Sequence, residues 1–237
     1  MTKQDNQTKP LTKITKIVKE IIPIAIILLM IIIGIYVYPT LPDKIPTHWN
    51  FKGEIDNYGP KTFALFGLPL IALTIYIILS VIKYFDPYRK NIEEFKHLYG
   101  IKLAMVAFMF AIYTGMIMQA LGNKFEMGKF VIVLISLLFF YLGYTLRSIK
   151  RNYFIGIRTP WTLASETVWN KTHRLGSFLF MLAAFMMLLS FFAPENSAIS
   201  MIFVLVPIFA IVIFSFGYSF YLFKKEKNSG KKKKEIN

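Results

Sequence analysis

The sequence contains no cysteine. That absence removes disulfide frameworks, thiolate metal sites and cysteine nucleophiles together. Acids are scarce, 13 Asp and Glu against 28 Lys and Arg, and histidine occurs three times, at His48, His97 and His173. Charge of either sign is missing from six stretches, residues 21–38, 63–82, 103–122, 130–146, 175–193 and 199–223, in which Gln119 is the main strongly polar side chain. Such stretches lack the row of intramembrane acids that a proton-coupled carrier needs. No H-E-x-x-H, P-loop, G-x-S-x-G or glycine-rich dinucleotide turn occurs, so the motifs offer no enzyme, no catalytic residue and no cofactor.

What is present is apolar: 55% of the 237 residues are hydrophobic, and the mean hydropathy is +0.51. Each uncharged stretch approaches the roughly 20 residues that carry a helix across about 30 Å of hydrocarbon. The shortest, 130–146, is bracketed by Lys129 and Arg147, whose long side chains can reach the headgroups. Backbone amides in lipid must be satisfied within their own segment, and runs of this length without period-two alternation are not barrel strands. The expectation is an all-α integral membrane protein with six transmembrane helices. Six crossings put 23 of the 28 Lys and Arg residues on the side that holds both termini, which predicts cytoplasmic termini.

The formal charge of +15 invites a nucleic-acid reading, but no basic stripe is interleaved with stacking aromatics. Much of the excess lies in the tail, residues 224–237, with Lys224, Lys225, Lys227 and Lys231 to Lys234 beside a membrane end. Anionic lipid attracts each such charge by about 1 kcal/mol, so membrane lipid is the expected partner and direct nucleic-acid binding is not. The chain divides into a basic segment 1–16, a four-helix part 17–146, a connector with the last two helices 147–223, and the lysine tail 224–237. The first span is expected to remain as an anchor, because Tyr38, Pro39 and Thr40 offer no small-residue cleavage site. Short connectors, 123–129 and 194–198, predict antiparallel hairpins of spans three and four and of spans five and six.

Three longer connectors hold the polar text. The outer one, 39–62, is punctuated by Pro39, Pro42, Pro46, Gly53, Gly59 and Pro60, and is expected to be ordered. Its charges cancel, Lys44, Lys52 and Lys61 against Asp43, Glu54 and Asp56, while Trp49, Phe51 and Tyr58 can sit among headgroups. In the second, Asp86-Pro87 reads as a cap and first-turn proline for a surface helix. Ile92, Phe95 and Tyr99 would share one side of that helix, with Arg89/Glu93 and Lys90/Glu94 as i,i+4 pairs on the other and His97 an ordinary surface residue.

The third connector, 147–174, reads RSIKRNYFIGIRTPWTLASETVWNKTHR. Thr159-Pro160 predicts a helix from near Trp161 running unbroken into span five. Trp161, Ser165, Val168, Trp169 and Thr172 would lie on one face, and Glu166, Asn170, His173 and Arg174 on its neighbour. Arg158 and Arg174 are suited to bidentate contacts with carboxylate or phosphate. His48 with Asp43 and Asp56, or His173 with Glu166, lack diagnostic ligand spacing, so no metal is expected. Pro69 and Pro207 could break spans two and six, the basis of an alternative small-molecule or lipid carrier. Ser215 and Ser219 form a small-xxx-small pair too common to settle assembly.

LPDKIPTHWNFKGEIDNYGPK, residues 41–61, resembles the outer-loop signature of a domain of unknown function, DUF1648, and GIRTPWTLASETVWNKTHRLG, residues 156–176, resembles the signature of the SdpI-like immunity family. Arg158, Thr159, Pro160, Trp161, Thr162, Glu166, Trp169, Thr172, His173 and Arg174 fall at that family's spacing. The resemblance implies a multi-pass protein of a prokaryotic cytoplasmic membrane that protects its producer from a secreted peptide toxin, and that signals by drawing a transcriptional repressor to the membrane. On that reading the outer loop, through Pro42, Asp43, Pro46, His48, Trp49, Gly53, Asp56, Gly59 and Lys61, meets the toxin. The inner connector then reports occupancy through a shift of span five, with Trp169 as the residue whose loss abolishes recruitment.

Overall fold

A computed structural model describes residues 8–50, 53–124, 126–193 and 198–235 of the chain. The readings of Phe51 and Lys52 lie outside these residues, as do the side chains of Lys231 to Lys234. The elements in order are α1 (Thr8–Val37), β1 (Lys44–Trp49), β2 (Ile55–Pro60), α2 (Lys61–Phe85), α3 (Arg89–Glu93), α4 (Leu98–Ala120), α5 (Met127–Leu146), α6 (Pro160–Ala164), α7 (Glu166–Leu189) and α8 (Ala198–Glu235). Six helices, α1, α2, α4, α5, α7 and α8, are long and apolar enough to span a membrane. Their apolar side chains are widely exposed, Ile32 at 61% and Phe209 at 62% among them, as helices solvated by lipid require.

The loop between the first two spans folds as a two-stranded antiparallel hairpin, pairing Lys44 with Pro60, Ile45 with Gly59 and Trp49 with Ile55. Prolines and glycines there deny a helix, and the extended backbone satisfies its amides by pairing across the loop. Pro69 and Pro207 break nothing: α2 and α8 run through them, and α1 runs through Pro23. A helix in lipid keeps its other hydrogen bonds when one donor is missing, so proline alone does not make a substrate site. Helices α1 and α4 also begin earlier than the uncharged stretches, which brings Glu20 and Lys102 within the apolar spans.

The chain forms two compact units. One contains α1, the hairpin, most of α2 and α4. Its core joins Met30 of α1, Ile45 of β1, Leu65 of α2 and Val106, Tyr113 and Met116 of α4, all nearly inaccessible. Helix α4 packs against α1 and β1. The other unit contains the end of α2, α3 and α5 to α8. There α5 packs on α7, and α7 packs on α8 as the antiparallel hairpin expected of spans five and six. The α5–α7 approach is close because Gly143 has no side chain: a Cβ there would meet Phe180 and Met181 at about 3.0 Å. Ser177 Oγ donates to Gly143 O across the contact at 2.6 Å.

Candidate functional site

At the base of the outer hairpin Lys61 N donates to Asp43 O (2.9 Å) and Lys61 Nζ to Leu41 O (2.9 Å), with the ammonium 4.6 Å from the centre of the Tyr38 ring. Lys61 is therefore scaffold, while Asp43, its 3.4 Å ion-pair partner, is 98% exposed. Pro46 is buried, Pro42 exposed, and Gly59 leaves room for the Thr47 side chain. Gly53 has φ +79°, a conformation that favours glycine. Trp49 Nε1 donates to Gln119 Oε1 at 2.5 Å, tying the hairpin to the end of α4. His48 Nδ1 and Asp56 Oδ1 face each other at 2.6 Å on the exposed surface. Of the nine loop residues singled out by sequence, Pro42, Asp43, His48 and Asp56 are thus the ones presented outward.

The second and third connectors are built as one piece. Asp86 does not cap α3, whose N-cap is Tyr88. It is buried, and its carboxylate accepts from Tyr88 N (2.6 Å) and, across to the third connector, from Tyr153 N (2.7 Å). Helix α3 ends at Glu93, so Tyr99 belongs to α4. Arg89 pairs with Glu93 as expected, but Glu94 pairs with Lys150 (2.6 Å) rather than Lys90. The hydrogen bond and charge of Lys150 hold the Glu94 carboxyl below its usual range. Tyr88 stacks on Tyr153, and Asn91 Nδ2 donates to Arg151 O at 2.6 Å. His97 sits between the Phe95 and Tyr144 rings.

Asn152, which sequence reading passed over, is 1% exposed and closes the turn that follows. Its amide donates to Lys150 O and Ile155 O, and its oxygen accepts from Phe154 N and Ile155 N. The turn leads to Gly156, at φ +112°, where any Cβ would fall on the His173 ring. His173 Nδ1 donates to Trp169 O (2.8 Å) while Nε2 accepts from Ile157 N (3.0 Å), which selects the tautomer with its proton on Nδ1. No nitrogen remains for a metal. Among the described residues no group of three His, Asp or Glu gathers as metal ligands.

Helix α6 starts as expected. Thr159 accepts from Thr162 N, Thr162 Oγ1 accepts from Thr159 N, and Pro160 fills the first turn. The helix does not continue into span five, however. Ser165 is extended (φ −138°, ψ 128°) and caps a new helix, α7, by accepting from Val168 N. The same hydroxyl donates to Glu226 of α8 at 2.7 Å. Thr159 Oγ1 donates to Ser219, and Trp161 packs edge-on against Phe216 and at a tilt against Phe220, so α6 is clamped to α8. Within α7 the faces follow the helix period, which puts residues four apart together. Val168, Trp169, Thr172 and His173 are buried together, whereas Arg158, Glu166, Asn170 and Arg174 are exposed. His173 thus belongs with Trp169, which stacks on it at 4.0 Å and donates from Nε1 to Ile149 O. Trp169 is 0% exposed and cannot itself touch a partner. Ser219 is likewise engaged inside the unit, and the buried Ser215 Oγ and Thr172 Oγ1 have no hydrogen-bond partner among the described residues.

A polar cluster missed by sequence reading lies at the end of the first unit away from the hairpin. Lys102, 5% exposed, donates from Nζ to Glu20 Oε1 (2.5 Å) and lies 3.4 Å from Ser80 Oγ and 5.2 Å from the Tyr76 ring centre. Tyr76 OH donates to the other Glu20 oxygen at 2.8 Å. The available signal was a charged residue flanking each of two apolar runs.

Comparison with known proteins agrees with this architecture. Residues 25–73 match the domain of unknown function DUF1648, and residues 148–219 match the SdpI/YfhL protein family. The chain is 27% identical over 212 residues to the Immunity protein SdpI of Bacillus subtilis (strain 168), an alignment covering 87% of this chain and 97% of that protein. No solved structure matches. The DUF1648 match takes in the hairpin, the SdpI/YfhL match takes in the inner connector from Ser148 through most of α8, and six spanning helices make the chain a multi-pass protein of a prokaryotic cell membrane. Both matches thus lie on one polypeptide, which resembles the Immunity protein SdpI along nearly the whole length of that relative.

Proposed function

We propose that this is a non-enzymatic immunity protein that protects its producer from a secreted, membrane-active peptide, with both termini in the cytoplasm. The observation that carries the reading is the alignment with the Immunity protein SdpI over 97% of that relative, which takes in both polar elements and every span between them. The geometry adds that each element is rigid. The hairpin is tied down by Lys61 and Trp49, leaving Pro42, Asp43, His48 and Asp56 as its outward surface. Three spans separate hairpin from connector, so the two face opposite aqueous phases. A cytoplasmic repressor would read the exposed residues Glu166 and Asn170, not Trp169. Cells with and without the protein, challenged with the peptide, test the reading: expressing cells survive, and equal killing removes it. In the same assay, His48→Ala with Asp56→Ala weakens protection while the protein still reaches the membrane in normal amount.

A further inference from the structure

Helix α8 presents two opposite faces where it leaves the apolar layer. One face is engaged: Ser219 accepts from Thr159 and Glu226 from Ser165, which turns both toward the start of α6 and α7. Tyr221 stands two residues, about 200° of helix, beyond Ser219, and Lys224, Lys225 and Asn228 follow it at three- and four-residue spacing. These four residues therefore line the face turned away from α6 and α7, and all are exposed.

A cleft of about 360 Å³ opens on that face, lined among the described residues by Tyr221, Lys224, Lys225, Asn228 and Ser229. Its volume is at the small end of ligand sites, which run from about 300 to 1,000 Å³. Two ammonium groups, a phenol and an amide supply hydrogen-bond donors, and Ser229 Oγ, which donates to Lys225 O at 3.0 Å, remains an acceptor. Neither ammonium is held in a salt bridge among the described residues, and the adjacent acid, Glu226, is engaged on the opposite face. Cationic donors gathered without a carboxylate suit an external anion, and the amide and hydroxyl suit hydroxyl groups attached to it.

The depth of the cleft decides which anion. About 20 residues carry a helix across 30 Å of hydrocarbon, so a crossing that starts at Ser200 ends near Ser219 and leaves the cleft at headgroup level. One turn into the apolar layer, Gly217 has nothing within 4 Å of the position a Cβ would take. It leaves a notch on the same face between Phe214 (60% exposed) and Tyr221 (57%).

We propose that this face of α8 binds one anionic phospholipid, with its phosphate between Lys224 and Lys225 and an acyl chain in the notch at Gly217. Headgroup depth and the notch select a lipid over a soluble phosphate. The cleft distinguishes a single bound molecule from the general attraction of a basic tail to an anionic surface. The site goes beyond the immunity reading and does not depend on it.

Native mass spectrometry of the detergent-solubilised full chain tests the proposal, with phosphatidylglycerol and phosphatidylcholine offered in turn. One phosphatidylglycerol is retained in preference to phosphatidylcholine, and Lys224→Gln with Lys225→Gln cuts that preference roughly twenty-five-fold, at roughly fivefold per charge near a lipid surface. Both side chains are exposed and outside any salt bridge among the described residues, so this variant keeps the fold. Lys232→Gln with Lys233→Gln removes the same charge farther along the chain and leaves the preference unchanged. Gly217→Leu fills the notch without altering charge and lowers retention of the lipid. Equal retention of the two lipids, an unchanged preference in the Lys224 and Lys225 variant, an equal loss in the Lys232 and Lys233 variant, full retention in Gly217→Leu, or displacement by millimolar inorganic phosphate each overturns the proposal.

Discussion

At the scale of single residues, the inner connector depends on Gly156. Its φ of +112° is costly for any residue with a Cβ, and that Cβ would also displace the His173 ring. Gly156→Ala is expected to lower stability by about 2–4 kcal/mol, the sum of backbone strain and a lost buried contact. Thermal unfolding in detergent checks this, and an unchanged midpoint would show that the turn has an alternative conformation. Glu94 makes a different kind of prediction. Its carboxyl is held below the ordinary value of 4.5, first by the hydrogen bond from Lys150 and then by the charges of Lys150 and Lys90. A depressed carboxyl stabilises the fold above its unfolded value and loses that contribution as pH falls through the folded one. The wild-type protein therefore loses more stability than Glu94→Gln between pH 6 and pH 3, by a modest margin because the pair is exposed. Identical pH profiles would show that the contact contributes nothing.

At the scale of elements, lipid removes the hydrophobic drive for helices to associate, so polar ties and close packing hold them together. Helix α4 carries three such ties. Lys102 holds Glu20, Tyr113 OH donates to Met30 O at 2.9 Å, and Gln119 accepts from Trp49. Gln119 lies 17 positions beyond Lys102, about 25 Å along the helix, so the ties are distributed across most of the membrane. Removing one member of a buried ion pair leaves an uncompensated charge, whereas removing both can be nearly neutral. Lys102→Met is expected to lower stability by about 1–3 kcal/mol, less than for a fully enclosed pair because Glu20 is partly exposed. Glu20→Met combined with Lys102→Met recovers most of that loss. Additive losses in the double variant would mean that the two charges act separately. Element boundaries were also where sequence reading went furthest astray. Ser165 breaks the helix between α6 and α7 because it is held by Val168 N on one side and by Glu226 on the other, and the second partner is 61 residues away in the chain.

At the scale of the whole molecule, the lack of cysteine makes topology directly measurable. Asp56→Cys is expected to react with a membrane-impermeant maleimide in intact cells, while Ala164→Cys and Lys227→Cys react only after permeabilisation. Labelling of Asp56→Cys and Ala164→Cys from the same side would overturn the opposed arrangement of the hairpin and the inner connector. The six spans and the helical class were legible from local composition, because a bilayer imposes its demand on each 20-residue segment separately, whereas both family signatures were legible only as a resemblance. Which residues of those signatures face outward was not legible. Trp169, His173 and Lys61 are interior or scaffold residues, while Arg158, Arg174, His48 and Asp56 are presented. Burial of that kind is decided by partners distant in sequence, such as Ile149 for Trp169, Ile157 for His173 and Gln119 for Trp49, and no local pattern encodes them. The sequence by itself thus determined how often the chain crosses the membrane, and only the tertiary structure decided which polar groups are satisfied inside it and which remain free to bind.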